Sequence, residues 1–201
     1  MLRDRTGMRS RGTVWTLGGG GLLLTAICAP GCGGAGSAPS SPPCDASCMD
    51  DVAITAFRDT LKAAYNLTLQ GGPVGPQDAT TKCALGGAVH VHGTATSNAD
   101  QGTTTVNLTY DLMACAFAQV DTDPTQTYSI TATGSATEVG TLSAQPSSTT
   151  ALMITSASMT LTGTVYSPAL DYQASDCAIT LGQDGNILGG TLCGRTVGAS
   201  L

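Results

Sequence analysis

The chain has 201 residues, with 8 Lys and Arg against 14 Asp and Glu, a net charge of −6, and only 4 % aromatic residues. An acidic surface repels phosphate backbones and the few rings offer little for bases to stack on, so nucleic acid is excluded as a partner. The charge is also unevenly placed. Arg3, Arg5, Arg9 and Arg11 open the chain, and after them come only Arg58, Lys62, Lys82 and Arg195 against thirteen carboxylates, of which Glu138 is the sole Glu.

The basic start is followed by an apolar run from Val14 to Ile27 with Leu22, Leu23 and Leu24 at its centre, and then by Ala29, Pro30, Gly31, Cys32 and Gly33. That order of basic region, apolar core and small residues is a secretory signal, too short to span a membrane. The ending resembles the lipobox of bacterial lipoproteins. The resemblance covers this leader alone, and implies cleavage after Gly31, a diacylglycerol on the Cys32 thiol and an acylated new amino terminus. Cys28 is the rival acceptor, but Ile27 before it is bulky where the peptidase takes a small residue. The alternative is ordinary cleavage near Ser37 or Ala38 and release as a secreted protein. Residues 1–31 are thus read as signal peptide, and 32–43 as lipidated cysteine plus a Gly/Ser/Pro tether that cannot bury enough apolar surface to order itself. Residues 44–201 are read as a single disulfide-bonded, β-rich domain.

With Cys28 removed and Cys32 lipidated, six of the eight cysteines remain: Cys44, Cys48, Cys83, Cys115, Cys177 and Cys193. An even set in an exported chain predicts disulfides. A zinc site is the alternative, although only Cys44 and Cys48 are close and their spacing is looser than a Cys-x-x-Cys pair.

In chain order, Ser47 with Asp50 three residues on reads as a capping box opening a helix over about 48–65. Ile54, Phe57, Leu61 and Ala64/Tyr65 form its apolar face, Arg58, Asp59 and Lys62 point the other way, and Asn66 ends it. Gly71 through Pro76 reads as loop. From Cys83 the period becomes two. Val89 and Val91 alternate with His90 and His92, and Val106, Leu108, Tyr110 and Leu112 with Thr105, Asn107, Thr109 and Asp111. A turn centred in residues 97–102 sets Val91 opposite Leu108, Val89 opposite Tyr110 and Asp111 opposite Ala88. Tyr128, Ile130 and Ala132 repeat the pattern, as do Met159, Leu161 and Val165. Two last strands flank Asp184-Gly185-Asn186, and Cys177 and Cys193 lie equally far from Gly185, which predicts a bond between them. The remaining four cysteines are expected to join Cys44 and Cys48 to Cys83 and Cys115, pinning helix to sheet. The fold class is mainly β (α+β), an antiparallel meander of about six to seven strands with one N-terminal amphipathic helix.

His90 and His92 are the pair that points to chemistry. Residues i and i+2 project from one strand face about 7 Å apart, which two imidazoles span to a shared metal, with Asp111 as third ligand. Against this, an outward strand face accepts any polar residue. Asp121-Thr122-Asp123 reads as a solvated acidic turn rather than a calcium loop, and the outward row Ser158, Thr160, Thr162, Thr164 as the polar residues strands prefer. No Gly-x-Ser-x-Gly, Ser-x-x-Lys, His-Glu-x-x-His or phosphate-loop pattern occurs, so no catalytic residue and no cofactor is assigned. The leading reading is a non-catalytic binding or structural module, anchored to the envelope by lipid, on the outer membrane. Its alternatives are a carrier of a small apolar ligand, which needs a cavity not filled by Phe57, Leu61 and Tyr65, and a metal-assisted hydrolase using His90 and His92.

Overall fold

The computed structural model describes residues 43–69, 72–143 and 149–201. The segment read as signal peptide, Cys32 and the segment read as tether up to Pro42 lie outside the described residues. Helix α1 spans Ala46–Thr68. Eight strands follow: β1 Val74–Lys82, β2 Ala88–Asn98, β3 Thr103–Gln119, β4 Tyr128–Ser143, β5 Ala151–Val165, β6 Leu170–Asp184, β7 Ile187–Leu192 and β8 Arg195–Ser200. They form one sheet in the order β1 to β8, each strand antiparallel to its neighbour in sequence. The domain is mainly β with one helix, and the meander has eight strands rather than six or seven.

The two additional strands are the sheet edges. β1 begins inside the segment read as loop and runs on to Lys82, with Pro76 paired to Thr94. An edge strand tolerates a residue with no N–H, because one side of it has no ladder to feed. β1 and β8 bury few apolar side chains, Val197 being the only fully buried one, so neither carries a strong period-two signal.

α1 begins earlier than the sequence suggests. Asp45 is the N-cap, accepting from the Cys48 N–H at 2.9 Å, while Ser47 lies inside the first turn. Asp50 does not cap; it turns into the sheet and is 5 % exposed. The helix meets all eight strands, so the sheet curls around it. Val52, Ile54, Phe57 and Leu61 are fully buried against Leu108, Ile130, Leu161 and Leu181 from the inward strand positions. The side expected to face solvent is partly enclosed too. Thr55 and Thr60 are buried and donate to the carbonyls of Asp51 and Ala56 one turn back, which satisfies their hydroxyls. Arg58, expected outside, is 6 % exposed.

Curling has a local cause. Register shifts interrupt β3/β4 at Leu112–Cys115, β4/β5 at Gly134–Thr137 and β5/β6 at Ser156–Met159. Because Leu112 pairs with Gly134 and Gly134 with Met159, these bulges form one fold line across neighbouring strands. Concave-face glycines do the rest. Gly163 has φ +146, and a Cβ there would lie 2.0 Å from the Ser129 carbonyl oxygen, a closeness only glycine permits.

The hairpin of β2 and β3 has the predicted faces but a register two residues away. Val91 pairs with Tyr110, Val89 with Leu112 and Asp111 with His90, where Leu108, Tyr110 and Ala88 had been expected. Of the three disulfides, Cys177–Cys193 forms as predicted. It lies just beyond the β6/β7 ladder, which ends at Ile179 and Leu192, so the two cysteines are not directly opposed. The other expectation is wrong: Cys44 bonds Cys48 and Cys83 bonds Cys115. Cys44 lies just before the N-cap Asp45 and Cys48 in the first turn of α1, with their Cα atoms 5.2 Å apart. Cys83 is brought to β3 by the β1–β2 loop, where the Leu85 and Ala116 N–H groups donate to the carbonyls of Ala116 and Gly86.

The loops closed span 32, 16 and 4 residues for Cys83–Cys115, Cys177–Cys193 and Cys44–Cys48. Replacing each pair by alanine is expected to cost about 4, 3 and 2 kcal/mol in that order by the chain-entropy relation. Urea unfolding of the three double variants checks the ranking.

Candidate functional site

Two places gather polar side chains, one on each face of the sheet. The outer one lies on β1, β2 and β3. Alternation turns Val89 and Val91 inward and leaves His90 and His92 outside, with Asp111 directly across from His90 and Asp78 directly across from His92. The imidazoles stack with centroids 4.9 Å apart and planes 26° from parallel. His90 Nε2 lies 2.9 Å from Asp78 Oδ1, and its Nδ1 lies 3.5 Å from Asp111 Oδ2. His92 Nε2 is 3.3 Å from the same Asp111 oxygen. The hydrogen bond to Asp78 raises the His90 pKa above its ordinary value, with the carboxylate charges adding to it against a smaller effect of burial. Asp111 is held below the usual carboxylate value, first by the Ser135 hydroxyl and then, against desolvation, by the histidines. The structure thus brings His90, His92 and Asp111 together as expected and adds Asp78, which sequence reasoning missed because β1 shows no alternation.

Along the same face runs a row of directly opposed threonines: Thr109, Thr137, Thr155, Thr180, Thr191 and Thr196, on β3 to β8. Asp121 and Asp123 are spent locally. Asp121 Oδ1 accepts from the Asp123 N–H at 3.0 Å, and Asp123 caps the short 3-10 turn Pro124–Gln126.

The inner place is a cavity of about 1010 Å³, partly open to solvent, between the C-terminal half of α1 and the ends of β2, β4 and β6. Phe57 and Leu61 fill the middle of the concave face, and the cavity opens beyond them. Its wall includes Arg58, Lys62, Tyr65, Glu138, Leu142 and Gln183. Arg58 Nε donates to Gln183 Oε1 at 2.7 Å, and Gln183 Nε2 in turn donates to the Gly185 carbonyl at 2.8 Å. Glu138 is 2 % exposed and accepts from the Tyr110 hydroxyl at 2.6 Å. Burial pushes the Glu138 carboxyl up, while Tyr110 and the Arg58 charge pull it back. Burial, then the Glu138 charge, drives the Tyr110 phenol well above its usual value. Glu138 was readable in principle, since continuing the even-numbered inward set of Tyr128, Ile130 and Ala132 puts it inside. Arg58 was not, because a helical wheel assumes solvent on the far side.

At the other end of α1, Asp50 is bound by Arg195, with Nε at 2.6 Å, and by the Tyr172 hydroxyl at 2.8 Å. Asp51 accepts from the Gly198 N–H at 2.8 Å, and the Tyr128 hydroxyl donates to Asp59. These bonds position the helix over the cavity. No helix among the described residues is long and apolar enough to cross a membrane. Family models, curated proteins and solved structures give no match to the chain.

Desolvation raises the Asp50 pKa, but the hydrogen bonds from Arg195 and Tyr172 outweigh it, leaving it lowered from 3.8. A lowered carboxyl stabilises the fold above its unfolded-state value and loses that contribution as pH falls through its folded value. Asp50→Asn is therefore expected to cost about 2 kcal/mol at pH 7. The gap should close as pH drops below 3.8, measured by thermal unfolding at several pH values.

Proposed function

We propose that the protein is a lipid-anchored, non-catalytic binding module of the cell envelope, tethered to the outer membrane, whose cavity holds one small amphiphile with an acidic end. One observation carries the ligand reading. Of the four cations that follow the leader, Arg58 and Lys62 both line this cavity. Arg195 is committed to Asp50. Asp59 and Glu138 line the same wall, but each is bound by a tyrosine hydroxyl, Tyr128 and Tyr110, so in a domain with a large surplus of carboxylates the neighbouring Arg58 and Lys62 favour an anionic group. Leu69, Leu142 and Leu201 on the same wall suit an apolar body. That modifies the small apolar ligand considered from sequence by giving it a charged end. The volume, about 1010 Å³, is at the upper end for small-molecule sites.

Two features support the envelope. One is the leader ending at Cys32. The other is a domain whose six cysteines are all in disulfides, as suits an oxidising compartment. Pairing also removes these thiols as nucleophiles. A diacylglycerol and an N-acyl chain would hold the protein on a bilayer at about 0.8 kcal/mol per buried methylene.

The anchor is tested by intact mass of the protein extracted from membranes. A chain starting at Cys32 and carrying diacylglycerol and an acyl group is expected; an unmodified chain starting at Ser37 or Ala38 overturns it. The cavity is tested with 8-anilinonaphthalene-1-sulfonate, an anionic amphiphile. Fluorescence is expected to saturate at one equivalent, with affinity lowered about tenfold in Lys62→Glu, which is 1.4 kcal/mol. Non-saturating fluorescence, or an unchanged affinity in the variant, would end the ligand reading.

A further inference from the structure

Four features of the outer-face cluster are those of a metal site. First, the chain contains only two histidines, and both are here. Second, the two separations from Asp111 match those of zinc ligands. Ligands about 2.05 Å from a tetrahedral zinc lie about 3.4 Å from each other. Asp111 Oδ2 is 3.5 Å from His90 Nδ1 and 3.3 Å from His92 Nε2. One donor atom from each of the three residues falls within 4.8 Å of the other two.

Third, the hydrogen bonding of His90 sets up Nδ1 as a ligand. Asp78 can only accept at its carboxylate, so the 2.9 Å bond places the ring proton on Nε2. The Nδ1 lone pair then faces the lone pairs of Asp111 across 3.5 Å. A cation satisfies both, a proton on Nδ1 in the imidazolium or a metal ion in its place. A carboxylate bonded to the far nitrogen of a ligating histidine is the arrangement that orients metal-binding imidazoles. Fourth, the frame is stiff: all four residues are on paired strands, and Ser135 on β4 steadies Asp111 from the other side.

We propose that His90, His92 and Asp111 bind one divalent transition-metal ion of the zinc type on the outer face of the sheet, with Asp78 orienting His90. Two imidazoles and one carboxylate form a borderline donor set that prefers zinc, copper or nickel over calcium and magnesium. The side chains of His90, His92 and Asp111 are 34, 42 and 44 % exposed, so the remaining coordination position faces water. The site is on the opposite face from the cavity and does not depend on what the cavity holds.

The test uses the exported protein in detergent, stripped with a chelator and titrated with zinc chloride by calorimetry at pH 7. One equivalent is expected to bind. Binding should be abolished in His90→Ala, His92→Ala and Asp111→Asn, and weakened about tenfold in Asp78→Asn. These residues are on the outer surface, and unchanged thermal unfolding in the metal-free variants shows that the fold persists. Because there are two imidazoles, proton NMR resolves both, and zinc should shift the two together at equal stoichiometry. No heat of binding, a shift of only one imidazole, or undiminished binding in His92→Ala would overturn the proposal. A heat that survives in all four variants would place zinc elsewhere and overturn it equally.

Discussion

A sheet whose inward face is apolar must be covered, and here a single helix covers eight strands. The rest of the fold follows from that constraint. One helix cannot shield a flat sheet of this width, so the sheet bends around it until every strand reaches α1. Bending needs places where pleating gives way, and the line of bulges from Leu112 to Met159 and the side-chain-free inward position at Gly163 supply them. The helix is consequently enclosed on more than half its circumference. Its hydroxyls must bond to its own backbone, and its charges must find partners in the strands. The cavity is the remainder of the same constraint, because the apolar filling by Phe57 and Leu61 stops short of the sheet ends.

Charge is distributed with the same economy. The domain is acidic, yet Arg58 is drawn inward to Gln183 beside Glu138, while Arg195 stays exposed and reaches down onto Asp50. A buried carboxyl next to a buried guanidinium is a weak way to gain stability, since desolvation takes back most of what their attraction gives. Apolar residues of similar volume would serve the core as well. Glu138 and Arg58 both line the cavity wall.

Much of the architecture was legible because period-two alternation states which side chains share a face. Val89 and Val91 against Tyr110 and Leu112 had to bury together, and His90, His92 and Asp111 had to face out together. Alternation cannot distinguish a register from one shifted by two, since both bury the same residues, and this is the shift the hairpin shows. Edge strands were invisible for a related reason. β1 and β8 have little to bury, so they leave little pattern, and with β1 went Asp78. Cysteine pairing failed where the helix was expected to be pinned to the sheet: Cys44 and Cys48 needed no strand when the chain entering α1 already brings them together. Arg58 stayed hidden because only the curled sheet defines its surroundings.

The first turns of α1 are bound by the last strand of the chain. Asp50 meets Arg195, and Asp51 meets the Gly198 N–H. A chain that emerges amino end first makes its helix almost at once and its neighbouring hairpins in order, but the helix N-terminus has to wait for the final residues. Until then Asp50 lacks Arg195 and Asp51 lacks the Gly198 N–H. Closure of this contact therefore joins both ends of the domain. Loss of even the last seven residues would remove β8 and leave the first helical turns without their latch.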